Sequence, residues 1–352
     1  MRCSCFIVPQ DVLKRFASDP ELTEEVRANF AQTAAVSAQV RALREQHTAF
    51  ALAAIPLPHP LPWPWPPIPR LPIHLLPPSV VYDCQHGVSL PGVLVSNPAT
   101  SADGSVKRAC VEAEAVAKFY WDIFRRDSID AHHMTLVSSV HYSTKYNNAQ
   151  WTGTEMLYGD GDGQIFVDFT LGNDVIGHEL THGVTQHSAG LAYSNEAGGL
   201  NESMSDVFGS MFRQWQGGQD VNAADWLIGK DIMGPVATSR GYTCLRDMAN
   251  PAASHCLAPQ ITNFSQYHAG MDPHYSSGPP NLAFCKAAKA AGGHSWDKVG
   301  MVWYRALTAF PPSPNMLMSQ FANRTRTLTQ SMYPGDATVY NAVNNGWTAV
   351  GL

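Results

Sequence analysis

The stretch VIGHELTHGV, residues 175–184, sets two histidines four residues apart with a glutamate beside the first. The surrounding GNDVIGHELTHGVTQHS reads as one helix whose start either Asn173 or Asp174 can cap. On a helix His178 and His182 fall one turn apart on the same face, so both imidazoles can bind one metal ion. Glu179 is turned by about 100° from His178, which puts it at the border of such a site. That position suits a general base acting on metal-bound water. Two histidines at this spacing also occur on ordinary half-buried helices, so the motif needs partners before it means catalysis.

The partners come next along the chain. AYSNEAGGLNESMSD, residues 192–206, supplies a second helix carrying Asn201, Glu202 and Asp206. A catalytic zinc takes three protein ligands and keeps one position open, and Glu202 is the carboxylate that completes the set. Asp206, one turn beyond it, can accept the free ring N–H of one zinc histidine, and Asn201 that of the other.

The elements that must hold these residues follow from pattern. Residues 10–50 read as helical, with Asp19-Pro20 and the glutamates behind it as a start signal. Residues 55–78, IPLPHPLPWPWPPIPRLPIHLLPP, are saturated with proline and read as extended polyproline. A stiff linker is the plain meaning of that segment, and a docking site for a proline-binding module is the alternative. After it, residues 111–124 form an amphipathic helix, while MTLVSSVHYS and QIFVDFT alternate as strands do. Beyond Asn201 the patterns are helical, over 201–216, 281–291, 297–309, 315–330 and 336–346. The expected class is α+β in two lobes: a helical segment 1–54, a linker 55–79, a β-rich lobe 80–194 and an α-helical lobe 195–352.

HELTH followed by NEAGGLNESMSD resembles the thermolysin-like zinc metalloproteases. So, in order, do YDCQHGVSLPG, HYSTKYNNAQWTG, YGDGDGQ, DWLIGKD, LRDMANP, DPHYSSGPPNLAF and WYRALT, across nearly all of 80–352. The resemblance implies the two-lobed fold, zinc (Zn2+) on His178, His182 and Glu202, and Glu179 as base. It also implies that His274 and Tyr193 hold the oxyanion, with Asp272 orienting His274 and keeping it cationic. Asn148 and Ala149 match the edge that binds substrate backbone, and Arg246 the arginine that binds a substrate carbonyl. Phe166, Phe169, Val175 and Leu245 match the pocket after the cut; all are apolar, so cleavage before Leu, Phe or Ile is expected. Calcium (Ca2+) is the point of departure. Asp174 and Asp225 match expected ligands, but Arg213, Leu227 and Lys230 stand where acidic groups are usual, and a cation in the shell opposes calcium. GDGDG, 159–163, matches a family turn and is expected to be structural.

The start of the chain resembles the protealysin-type subgroup of that family, with a looser match because Gln10 replaces a proline. The resemblance implies an inhibitory propeptide over residues 1 to about 50. Two inhibitory routes are open. Cys3 or Cys5 could reach the zinc as a thiolate. Alternatively, Phe6, Ile7 and Val8 could fill the cleft while the cysteines remain ordinary thiols. Self-maturation would cut before Phe50 or Leu52.

Composition narrows the rest. A 15% charged fraction, a 45% hydrophobic fraction and a net charge of −6 describe a globular protein with no basic stripe for nucleic acid. Seven cysteines, an odd number, cannot all pair; Cys244 and Cys256 could close a short loop or stay free. The first residues hold no apolar run of signal-peptide length and no stretch reaches membrane-span length, so a cytoplasmic location or leaderless export is expected. A non-catalytic binding protein on the same fold is the competing function. A lytic aminopeptidase would share HExxH and a distant glutamate, but no anchor for a substrate amine is visible.

Overall fold

The computed structural model describes residues 5–48 and 75–352. Cys3, Phe50, Leu52 and most of the proline-rich segment lie outside them. The strands are β1 (Cys5–Phe6), β2 (Ser79–Asp83), β3 (Val93–Leu94), β4 (Leu136–Val140), β5 (Ala149–Trp151), β6 (Met156–Tyr158), β7 (Leu227–Ile228) and β8 (Arg246–Asp247). The first six form one mixed sheet in the order β1-β5-β6-β4-β2-β3, and β7 pairs with β8. β2–β4 and β4–β6 are parallel, and the other pairs antiparallel. The N-terminal segment thus supplies an edge strand, with Cys5 opposite Trp151 and Phe6 opposite Gln150.

Helices α1 (Gln10–Ala17) and α2 (Glu24–Thr48) follow β1, and α3 (Gly104–Phe124) packs on the sheet. The break between α1 and α2 falls at Asp19 and Pro20. Helix α4 (Asn173–Gln186) runs between the sheet and the helical lobe. That lobe contains α5 (Asn195–Gln216), α6 (Pro235–Ser239), α7 (Pro273–Ser276), α8 (Gly278–Ala291), α9 (Lys298–Leu307), α10 (Met318–Met332) and α11 (Ala337–Thr348). Its core is aromatic: the Trp303 and Trp347 rings stack with centroids 5.6 Å apart, edged by Phe321. The expected α+β class and two lobes are present, and no helix among the described residues is long and apolar enough to cross a membrane.

Two local expectations need correction. QIFVDFT is not a strand: Phe166 makes a single bridge to Met233, and residues 169–171 turn into a 3-10 helix. The turn is set by Asp162, whose carboxylate accepts the amides of Gln164, Ile165 and Phe166. The same bonds make the end of GDGDG a turn. Helix α4 is capped by Gly172 without a side chain. Asp174 turns inward instead and accepts the amide of Gly229 at 2.7 Å.

Helix α4 is buried from Asp174 to Thr185, so every polar group on it must find a partner. Its approach to α5 depends on paired glycines. A Cβ on Gly209 would lie 2.6 Å from the Asp174 carbonyl oxygen and 3.0 Å from the His178 amide nitrogen. One on Gly177 would meet the Gly209 Cα at 3.1 Å. Glycine inside a helix costs about 1 kcal/mol against alanine, and here the close backbone contact offsets it. Gly209→Ala should push the two helices apart, lowering stability by about 1–3 kcal/mol in denaturant unfolding. Zinc affinity should fall with it, because the ligands sit on both helices. A variant that unfolds and binds zinc like the parent would refute this reading of the contact.

Candidate active site

Two helical pairs, 201/205 and 202/206, each four residues apart on α5, face the two histidines of α4. His178 Nδ1 lies 2.8 Å from Asp206 Oδ1, and His182 Nδ1 2.8 Å from Asn201 Oδ1 and 3.0 Å from Ser205 Oγ. With carboxylate and carbonyl acceptors at Nδ1, both rings carry their proton there and leave Nε2 as a lone pair. The two Nε2 atoms are 3.1 Å apart. Glu202 brings an oxygen within 3.5 Å of each. All three side chains have no exposure to solvent, and Glu202 Oε2 has no hydrogen-bond partner among the described residues.

These dimensions fit a tetrahedral zinc, whose nitrogen ligands at about 2.0–2.1 Å lie roughly 3.3 Å from each other. Two converging lone pairs and a buried carboxylate oxygen are unfavourable by themselves, and one cation removes the conflict. Burial, followed by the nearness of His178, pulls the His182 pKa well below its usual value, so the ring is a neutral donor.

The surroundings are tied to the ligands. Burial would raise the Asp206 pKa, but Arg246 and His178 hold the carboxyl far below the usual range. Arg246 grips it with two bonds, Nε to Oδ2 at 2.8 Å and Nη2 to Oδ1 at 2.7 Å, and Asn281 donates to Oδ2 at 2.8 Å. Glu179 Oε2 accepts the Trp151 amide at 2.7 Å, which fixes the carboxylate between α4 and β5. Tyr193 donates to Glu202 Oε1, and its hydroxyl lies 3.3 Å from His274 Nε2. His274 Nδ1 is 2.7 Å from Asp272 Oδ1. Burial would depress the His274 pKa, yet Glu202 and Asp272 together push it up to about 9.

The N-terminal strand lies in this cleft with a specific register. His274 Nε2 donates to the Phe6 carbonyl at 2.5 Å. The Ile7 amide donates to Ala149 O at 3.2 Å, and Arg246 Nη1 donates to the Ile7 carbonyl at 3.1 Å. Asn148 brackets Val8, accepting its amide at 3.0 Å and donating to its carbonyl at 3.2 Å. Every residue expected to bind substrate backbone therefore bonds the chain's own N-terminus. Phe166, Phe169, Val175 and Leu245 are fully buried in the same hydrophobic cluster as Ile7. The sulfur of Cys5 offers a ligand atom within 4.8 Å of those of His182 and Glu202, and Cys5 is disulfide-bonded.

Sequence reasoning missed Ser205, Asn281 and the Trp151 amide. Ser205 had a signal, since it stands four residues after Asn201. The other two had none, because they join the site only through tertiary folding. Also missed was Asp231. With Asp174 and Asp225 it surrounds Arg213, whose nitrogens lie 3.1, 3.6 and 3.8 Å from Asp231, Asp174 and Asp225 respectively. Lys230 adds a contact to Asp225 at 3.1 Å, and Leu227 lies in β7.

Comparison with known proteins agrees with this geometry. Residues 78–186 match the thermolysin metallopeptidase catalytic domain and 189–352 the thermolysin metallopeptidase alpha-helical domain. The chain is 38% identical over 285 residues to an extracellular metalloprotease of Pectobacterium carotovorum subsp. carotovorum, covering 77% of this chain and 80% of that one. It is 34% identical over 284 residues to Protease PrtS of Photorhabdus sp. (strain Az29), covering 77% and 76%. The solved precursor of protealysin, a metalloproteinase from Serratia proteamaculans, superposes with a TM-score of 0.81 at 31% identity over 99% of both chains. The chain therefore belongs to the thermolysin-like zinc metalloproteases, and within them to the protealysin type.

Proposed function

We propose that this zinc metalloendopeptidase is held as a zymogen by residues 5–8 lying in the cleft as a substrate would, and that it cuts before bulky hydrophobic residues. The observation that carries the reading is the run of bonds from His274, Ala149, Arg246 and Asn148 to Phe6, Ile7 and Val8. In that register the Phe6 carbonyl occupies the place of the carbonyl under attack, and Ile7 the first position after the cut.

His178, His182 and Glu202 would hold the zinc, which supplies Lewis-acid polarisation of the carbonyl and lowers the pKa of water. Glu179 takes a proton from the attacking water and returns it to the leaving amine. The Trp151 amide keeps its carboxylate aimed. His274, doubly donating and cationic, stabilises the charge that develops on the carbonyl oxygen, and Tyr193 stands beside it. Arg246 and Asn148 fix the main chain on the far side of the bond. The apolar lining of Phe166, Phe169, Val175 and Leu245 favours a large apolar side chain there, by about 1–3 kcal/mol per missing group.

Inhibition in this reading rests on steric occupancy by Phe6, Ile7 and Val8. Cys5, as one half of a disulfide, does not present a thiolate to the metal. The name of the Pectobacterium relative supports an exported enzyme. Arg213, at the centre of three aspartates, supports a calcium-free site in which a guanidinium supplies the positive charge.

Four measurements test these assignments. Glu179→Gln should lower kcat for a peptide cut before Leu by about 10²–10⁴-fold with zinc still bound; a protein that only binds peptides would be indifferent. Ile7→Asp in the full-length chain should weaken leader docking and raise hydrolysis about tenfold or more, the ratio that about 1.4 kcal/mol gives. Unchanged hydrolysis would sink the substrate-like plug. Arg213→Ala should cost about 1–3 kcal/mol in unfolding, less than for a fully buried pair because the side chain keeps 18% exposure. Added calcium should leave the parent's melting temperature where it is, and a rise would contradict the arginine assignment.

A further inference from the structure

A second cluster of metal-ligating side chains lies away from the catalytic zinc ligands, on the loop that β8 opens. Cys244 and Cys256 sit side by side as an isolated parallel bridge. Two backbone bonds lock the pair, Thr243 N to His255 O at 3.0 Å and Leu257 N to Cys244 O at 2.9 Å. Both thiols are free and buried, and their sulfurs are 3.9 Å apart. His255 completes a set of three ligand atoms that lie within 4.8 Å of one another. Its Nε2 is 3.2 Å from Asp247 Oδ2, and its side chain is 38% exposed.

We propose that Cys244, Cys256 and His255 form a second metal site, for a thiophilic divalent cation of the zinc class. The sulfur spacing decides between metal and disulfide. Thiolates on a tetrahedral zinc at about 2.3 Å stand roughly 3.8 Å apart, close to the distance present. A disulfide needs about 2.05 Å, so the two sulfurs stand at the metal distance and not at the bonded one. Asp247 Oδ2 lies beside His255 Nε2 and can hold the ring's orientation, and its Oδ1 is itself anchored by the Ala249 and Asn250 amides. The exposed side of His255 gives the ion a way in and a position for water.

Occupancy would clamp the two ends of a loop that serves the catalytic cleft. Leu245 and Arg246 follow Cys244 directly, and the carbonyl of Leu257, next to Cys256, accepts a bond from Arg15 of the N-terminal segment at 2.9 Å. The proposal stands on these residues alone and does not depend on the peptidase mechanism.

The test is cobalt titration of reduced full-length protein in a Cys3→Ser, Cys5→Ser background, so that no leader thiol contributes. Two equivalents of Co2+ should bind, one of them with an intense thiolate-to-cobalt charge-transfer band. That equivalent and its band should vanish in Cys244→Ser and Cys256→Ser. Because those positions are buried, the half-exposed His255→Ala and the near-isosteric Asp247→Asn serve as variants that keep the fold. Asp247→Asn should weaken the second equivalent by about 10–100-fold without touching the first. A single equivalent with no thiolate band overturns the proposal. So does a second equivalent indifferent to all four substitutions.

Discussion

The site depends on two imidazole nitrogens held 3.1 Å apart with both lone pairs turned to the same point. Nothing in a folded protein favours that arrangement unless a cation occupies the point, so the rest of the molecule must impose it. The imposition is distributed. Asp206 and Asn201 fix the two tautomers from α5, and Arg246 and Asn281 fix Asp206 in turn. Paired glycines bring α5 close enough for these bonds to form. The charge on Asp206 survives full burial because the arginine and the histidine share it, in a network where removal of one member leaves the others unsatisfied.

The same arginine links metal and substrate. Two of its nitrogens hold the carboxylate behind His178, a proposed zinc ligand, and the third binds a carbonyl in the cleft. Peptide binding is therefore connected through two side chains to the ring that would hold the ion. The edge strand β5 plays a comparable double part. Its Trp151 amide aims Glu179, while Ala149 receives the amide of the incoming chain. In the proposed mechanism, base and substrate are set by neighbouring residues of one strand, so their relative position follows from the regular geometry of a β-strand.

Most of the metal centre was legible because helices repeat. His178 with His182, Asn201 with Ser205, and Glu202 with Asp206 are each four apart, and the spacing carries the face. What was not legible lay in contacts between elements. The Trp151 amide has no side-chain signature, and Asn281 is one asparagine among many until α8 docks. Alternation misled at QIFVDFT, where three amides captured by Asp162 outcompete strand pairing. Phe6, Ile7 and Val8 were readable as residues that could fill the cleft. Their register was not, since it is set by hydrogen bonds from three separated segments. Arg213 was readable as a misfit among acidic positions, but Asp231, its nearest partner, emerged only in three dimensions.

The N-terminal segment is held to the body at many points besides the cleft. Arg15 reaches Leu257, Arg240 pairs with Asp19, Lys145 pairs with Glu25, and Ser37 bonds Tyr146. While the chain is continuous, the tether keeps the segment at a high effective concentration over the site. A cut between residues 48 and 75 changes the order of that equilibrium from one molecule to two. Occupancy of the cleft then depends on dilution. In the proposed zymogen, protein crowded together would stay largely blocked after the cut, and the same protein spread thinly would not.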